Sequence, residues 1–214
     1  RTDRRQVLSY QQKPLTRPSA GIVLLDIGSR DLQQCADSAL RLHAEYLWYR
    51  QQSGRAKYHF TSGDRSTWAD WRRGERFKIH GNQVKRVSGA RRAATHKNYR
   101  AWLTHLFRYA GTRSLRYDSD PVSQGDVQPG DIFVQPGSPG HAIVILDVAI
   151  DSKARKRVLL GQGFMPAEEF HVLKAGYNAQ NDDVWFRFPD SADGRLQTPS
   201  WPAPFKWAHL RRFR

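Results

Sequence analysis

Residues 130–149, GDIFVQPGSPGHAIVILDVA, leave this chain few ways to fold. A Gly-Asp pair opens a short apolar run, a Gly/Pro-rich break follows, and a Gly-His pair starts a longer, β-branched run. Apolar runs bounded by turn residues read as buried strands. The segment therefore predicts two neighbouring strands at 131–135 and 142–149, with His141 at the mouth of a sheet. Further strands are expected at 157–162, 169–173 and 185–188. The tail after Thr198 reads as an extended segment with a short final turn of helix.

The first half of the chain has a different period. Residues 21–27, GIVLLDI, suggest a short buried strand. Asp31 is then placed to cap a helix, with Gln34 at the third helical position to complete a capping box. That helix is expected to run to about residue 52, burying a stripe of Leu32, Cys35, Ala39, Leu42, Tyr46 and Tyr49. A second helix is expected over 97–110, with Gly111 as its C-cap. Between the helices, strands are expected at 57–61, 76–80 and 83–87, the last two joined by a tight turn at residues 80–83. Helices followed by a strand meander predict an α+β domain. Residues 1–20 read as a basic, flexible arm, and 21–214 as a single domain.

Charge narrows the possible partners. With 35 basic and 20 acidic residues, the chain carries a formal +15. Such a surplus favours anionic partners: a cell-wall polymer, an anionic membrane face or nucleic acid. The surplus is concentrated between Arg50 and Arg116, where Trp68, Trp71, Phe77 and Trp102 are interleaved with arginines and lysines. Basic residues with aromatic neighbours can bind nucleic acid through phosphate contacts and stacking. No helix-turn-helix, zinc-finger, RNP or KH signature accompanies them, so nucleic acid ranks below a wall polymer. No apolar run approaches the ~18 residues of a membrane span. A chain beginning at Arg1 is read as one whose leader or anchor has been removed.

The one cysteine excludes an internal disulfide and a cysteine-rich zinc site. His59, His80, His96, His105 and His209 lack metal-ligand spacing, and no metal or other cofactor is expected. His43 and His171 lie on apolar faces and read as structural, His171 being also a rival to His141 in the following strand. Cys35 remains, in the first turn of its helix, where unpaired N–H groups and the macrodipole favour a thiolate. A buried small hydrophobe is the competing reading for such a cysteine. If the strands at 142–149 and 157–162 form a hairpin, partner numbers summing to about 303 would bring His141 opposite Gln162. Gln162 could then hold one ring nitrogen while the other faces a nucleophile.

Several pieces together resemble a known bacterial family, domain of unknown function 4846. They are LQQCADSALRLHAEYLW, FTSG, YAGTRSL, GDIFVQPGSPGHAIVILDVA, LLGQGFMPAEEFHVLK and TPSWPAPF. The order of a cysteine at a helix start, a Gly-Asp strand and a Gly-His strand is also similar to the NlpC- and CHAP-type cysteine hydrolases. That similarity implies a papain-like fold, a helix packed on an antiparallel sheet, and cleavage of an amide bond in bacterial peptidoglycan. It further implies Cys35 as nucleophile, His141 as base, Gln162 as orienter, and a location in the cell envelope. The long gap between Cys35 and His141 implies a basic insertion at about 53–96. The alternative is a non-catalytic module that binds a polyanion.

Overall fold

The computed structural model describes residues 5–176, 183–188 and 194–214. The N-terminal part forms strands β1 (Val7–Leu8), β2 (Pro14–Leu15) and β3 (Ser19–Ile22), then helix α1 (Cys35–Tyr49). The basic middle contains β4 (Lys57–His59), β5 (Arg65–Thr67), α2 (Trp68–Arg73), β6 (Glu75–His80) and β7 (Gln83–Ser88). Helices α3 (His96–Leu106) and α4 (Thr112–Leu115) lead to β8 (Ser119–Pro121), β9 (Ile132–Gln135), β10 (His141–Ile150), β11 (Lys156–Gln162) and β12 (His171–Leu173). The described elements end with β13 (Trp185–Arg187), β14 (Arg195–Thr198), β15 (Trp201–Lys206) and β16 (Leu210–Phe213).

The fold is α+β. Its centre is an eight-stranded antiparallel sheet in the order β3-β12-β11-β10-β9-β16-β8, with β13 also pairing β11. Side-chain alternation along β10 divides the core in two. Ala142 and Val144 join Leu40, Ala44, Trp102 and Leu103 on the helical face. Ile143 and Ile145 join Phe133, Leu160, Trp201 and Phe205 on the other.

Several details depart from the expectations. Helix α1 begins at Cys35, with Gln34 as N-cap and the Asp37 carboxylate accepting from the Gln34 N–H at 3.2 Å. Asp31 is not the cap: its Oδ1 accepts from Gln34 Nε2 at 3.0 Å and from the Ala167 N–H at 2.6 Å, tying the loop before α1 to the loop before β12. The buried stripe is also rotated. It runs through Cys35, Ala36, Ala39, Leu40, Ala44 and Leu47, whereas Tyr46 and Tyr49 are 57% and 84% exposed. Three small alanines, Ala36, Ala39 and Ala44, let the helix lie closer on that side than tyrosines would permit. Gly111 caps the start of α4 and not the end of α3.

The N-terminal arm is packed from residue 5 onward, its first four residues lying outside the described ones. Val7 is fully buried, Leu8 accepts from the Glu169 N–H at 3.0 Å, and Tyr10 donates to Ala167 O at 2.8 Å. The tail has the expected extended segment, β15, and a short helical turn at Trp207–His209, and then adds β16, which sits between β9 and β8. In the basic middle, Trp68, Trp71 and Phe77 are buried with Trp102. The guanidinium of Arg76 lies 3.8 Å over the Trp71 ring from outside. These aromatics serve the core and are not available to stack on bases.

The β10–β11 register differs from the expected sum of 303. Val144 pairs with Gly161 and Ile145 with Leu160, and beyond a bulge Val148 pairs with Val158. The sums are therefore 305 and 306. Near the sheet's end the slip is two residues, which preserves the face each side chain occupies.

A glycine lets Phe170 and Leu146 pack directly over β11. A Cβ on Gly161 would come 2.5 Å from Phe170 Cε1 and 2.8 Å from Leu146 Cδ1. Phe170 is fully buried and has nowhere to retreat. Gly161→Ala should therefore destabilise the fold by roughly 1–3 kcal/mol, read as a lowered urea midpoint with an unchanged slope.

Candidate active site

Strand β10 starts with His141, whose side chain is fully buried. Register pairs it with Gln135 on β9, and alternation places it with Ile143 and Ile145, on the face away from α1. Its ring is enclosed by Phe164 at 4.9 Å, Trp201 at 4.9 Å and Phe205 at 6.0 Å between centroids. Trp201 is itself held by donating Nε1–H to Gln135 Oε1 at 2.6 Å.

His141 and Gln162 do meet, by a diagonal reach and not by direct pairing. Nε2 of His141 lies 2.8 Å from Gln162 Oε1. An amide oxygen only accepts, so Nε2 carries the proton and Nδ1 holds a lone pair. Nδ1 is buried and has no hydrogen-bond partner. Burial lowers the imidazole to about 4, the Gln162 bond raising it and His171 adding a small repulsion. At neutral pH the ring is an uncharged base with an unused lone pair.

Cys35 reaches the same strand from the other side. It is the first residue of α1, 6% exposed, with Sγ 4.0 Å from the carbonyl oxygen of Gly140. Burial pushes its thiol up to about 11; the Ala142 N–H opposes this, the Asp37 charge adds to it, and the N–H groups of Ala36 and Cys35 oppose it. The sulfur thus lies against the main chain on both sides of His141. It is not hydrogen-bonded to Nδ1, and the resting pair is neutral thiol and neutral imidazole, not an ion pair.

A second buried group is His171, the rival to His141 on the following strand. His171 pairs in register with Gln162, so both side chains share a face. His171 Nδ1 bonds the Glu169 carbonyl at 3.1 Å, and its Nε2 has no partner. Glu168 lies 3.6 Å from His171 Nδ1 and accepts from Arg17 Nε at 2.8 Å. Burial raises Glu168 to about 7, with Arg17 pulling the other way. Gln135, His141, Gln162 and His171 form a polar row across four strands. Only the apolar setting of the EEFHVL segment hinted at its far end.

The protonation state of His141 can be tested directly. Its folded value is depressed below the ordinary 6.5, so the stability it confers by staying neutral is complete above pH 6.5. That contribution is lost as pH falls from 6.5 towards 4, because the unfolded chain takes up a proton that the folded chain refuses. The stability advantage of the natural protein over His141→Gln should shrink across this window in urea titrations. Nitrogen NMR should show the Nε2–H tautomer still uncharged at pH 5; a ring that titrates near 6.5 contradicts the buried geometry.

No curated protein and no solved structure matches the chain. A family model does, along residues 1–212. The chain belongs to the family described as Domain of unknown function (4846).

Proposed function

We propose that this protein is a papain-like cysteine hydrolase that cuts an amide bond, with bacterial cell-wall peptide as substrate. The observation that carries the reading is the buried His141 imidazole: Gln162 fixes its tautomer, and the sole cysteine lies against the strand that bears it. In the reaction, the Cys35 thiol proton passes to Nδ1 as sulfur attacks the carbonyl carbon. First-turn N–H groups of α1 receive the developing oxyanion. The imidazolium returns the proton to the leaving amine, and water, deprotonated by the same nitrogen, cleaves the thioester. The Gln162 oxygen keeps the ring aligned through both transfers.

The resting site is closed, so substrate must displace the aromatic cover of Phe164 and Trp201 to reach it. Cys35 and His141 rest on opposite faces of β10, so binding must also turn the start of that strand until Sγ and Nδ1 approach to about 3.5 Å. The positive surface would concentrate an anionic murein or teichoic polymer. Such a substrate places the enzyme in the cell envelope.

A second reading, polyanion binding without turnover, is favoured by one observation. Lys78, Lys85 and Arg86 on β6 and β7, with Arg91 and Arg92 beyond, are solvent-exposed along one region. The two readings separate cleanly. With purified sacculi, Cys35→Ala and His141→Ala should each abolish peptide release, and Gln162→Ala should lower it by about 10²-fold. All three variants should keep the far-UV spectrum and still sediment with sacculi. Turnover retained by the cysteine or histidine variant rejects the mechanism, and binding without release by the natural protein favours the second reading.

A further inference from the structure

Strands β4 and β5 build a cationic cleft far from Cys35. Alternation turns Tyr58 and Ser66 inward, each 1% exposed, and sends Lys57, His59 and Arg65 to the opposite face. His59 stands directly across from Arg65 in the register. With Arg55 and Arg214 these residues line a cleft of about 210 Å³. Arg214 is engaged by Asp120. Arg55, Lys57 and Arg65 have no carboxylate partner among the described residues. Three unneutralised cations crowd one small cavity.

His59 lines that cavity. The buried Asp118 accepts from its ring Nδ1 at 2.6 Å and from its main-chain N–H at 3.1 Å. The ring is locked so that Nε2, the nitrogen opposite, has no protein partner and the side chain is 22% exposed. The same cleft joins a second, larger one of about 630 Å³, with which it shares His43, Arg55 and Arg214. Leu42, Tyr46, Val144, Leu146 and Phe213 give that neighbour an apolar wall.

We infer that this face binds a phosphorylated small molecule. Its phosphate is held by Arg55, Lys57 and Arg65, and its apolar body lies in the larger cleft. Three cations match a dianionic phosphate, whereas one carboxylate would leave most of the charge unmet. Guanidinium forks and a point ammonium are the groups that recognise phosphate oxygens. Leu42 and Tyr46 stand two to three turns beyond Cys35, ~10–17 Å along α1. The inference does not depend on the hydrolase reading.

The test is calorimetric titration of the full chain at constant ionic strength with inorganic phosphate, phenyl phosphate and benzoate. Both phosphates should bind saturably, phenyl phosphate at least about tenfold more tightly, and benzoate far more weakly. Lys57→Glu combined with Arg65→Glu should weaken both phosphates by about tenfold or more. Arg91→Glu with Arg92→Glu, and Cys35→Ala, should leave the affinities unchanged. Absence of saturable phosphate binding overturns the inference, as does equal weakening by the two arginine-containing double variants, which would mark a diffuse field. Phenyl phosphate no tighter than phosphate removes the apolar subsite, and benzoate as tight as phenyl phosphate removes the phosphate preference.

Discussion

The distance between helix α1 and the sheet governs the rest of this molecule, and glycine sets it. Gly163 presents bare backbone towards the helix; a Cβ on it would run into the Ser38 hydroxyl and lie 3.1 Å from Ser38 Cβ. On the helix side Ala36, Ala39 and Ala44 answer with equally small side chains. Close approach of this kind removes water from both surfaces and leaves little freedom for sliding. Because Cys35 is the first residue of that helix, the same packing decides where the thiol meets β10. Moving the helix outward by one methyl group would move the sulfur with it.

Dryness is the second consequence. His43, His105, His141 and His171 are all held down near 4 by burial, while the Cys35 thiol and the Glu168 carboxyl are held up. These imidazoles and the thiol are therefore kept uncharged, whereas charges that are buried, such as Arg41 beside Glu45 and Asp131 beside Arg212, are paired. A neutral thiol beside a neutral imidazole costs far less to bury than the corresponding ions. The proposed chemistry then requires charge to be created during the encounter with substrate and not stored beforehand.

How much of this could be read from residues alone depended on which force fixed each element. The β9–β10 segment was legible because apolar runs between Gly and Pro have one reasonable fate, and it placed His141 correctly. Contact between His141 and Gln162 was also legible, although the register that suggested it was two residues off. Diagonal neighbours on one face remain within reach of a histidine and a glutamine, so the face mattered more than the count. The stripe of α1 was only partly legible: hydropathy favoured Tyr46 and Tyr49, but packing with Ala142 and Val144 buried the alanines instead, and that strand is about a hundred residues away. Nor could the tryptophans of the basic middle be sorted into core or surface, since the arginines around them mask the pattern. The Asp118–His59 pair spans fifty-nine positions and leaves no periodic trace.

The position of β16 has a consequence for how the protein is made. β8 and β9 follow one another in sequence, yet in the sheet they are separated by residues 210–213, a strand synthesised after both of them. Until that strand leaves the ribosome, β9 offers a bare edge on one side and β8 has no place to dock. Domains with such late-closing pairings expose hydrogen-bonding edges during translation. The nascent chain thus waits for β16 before its central sheet can be sealed, and shielding of the open β9 edge falls to whatever accompanies it out of the exit tunnel.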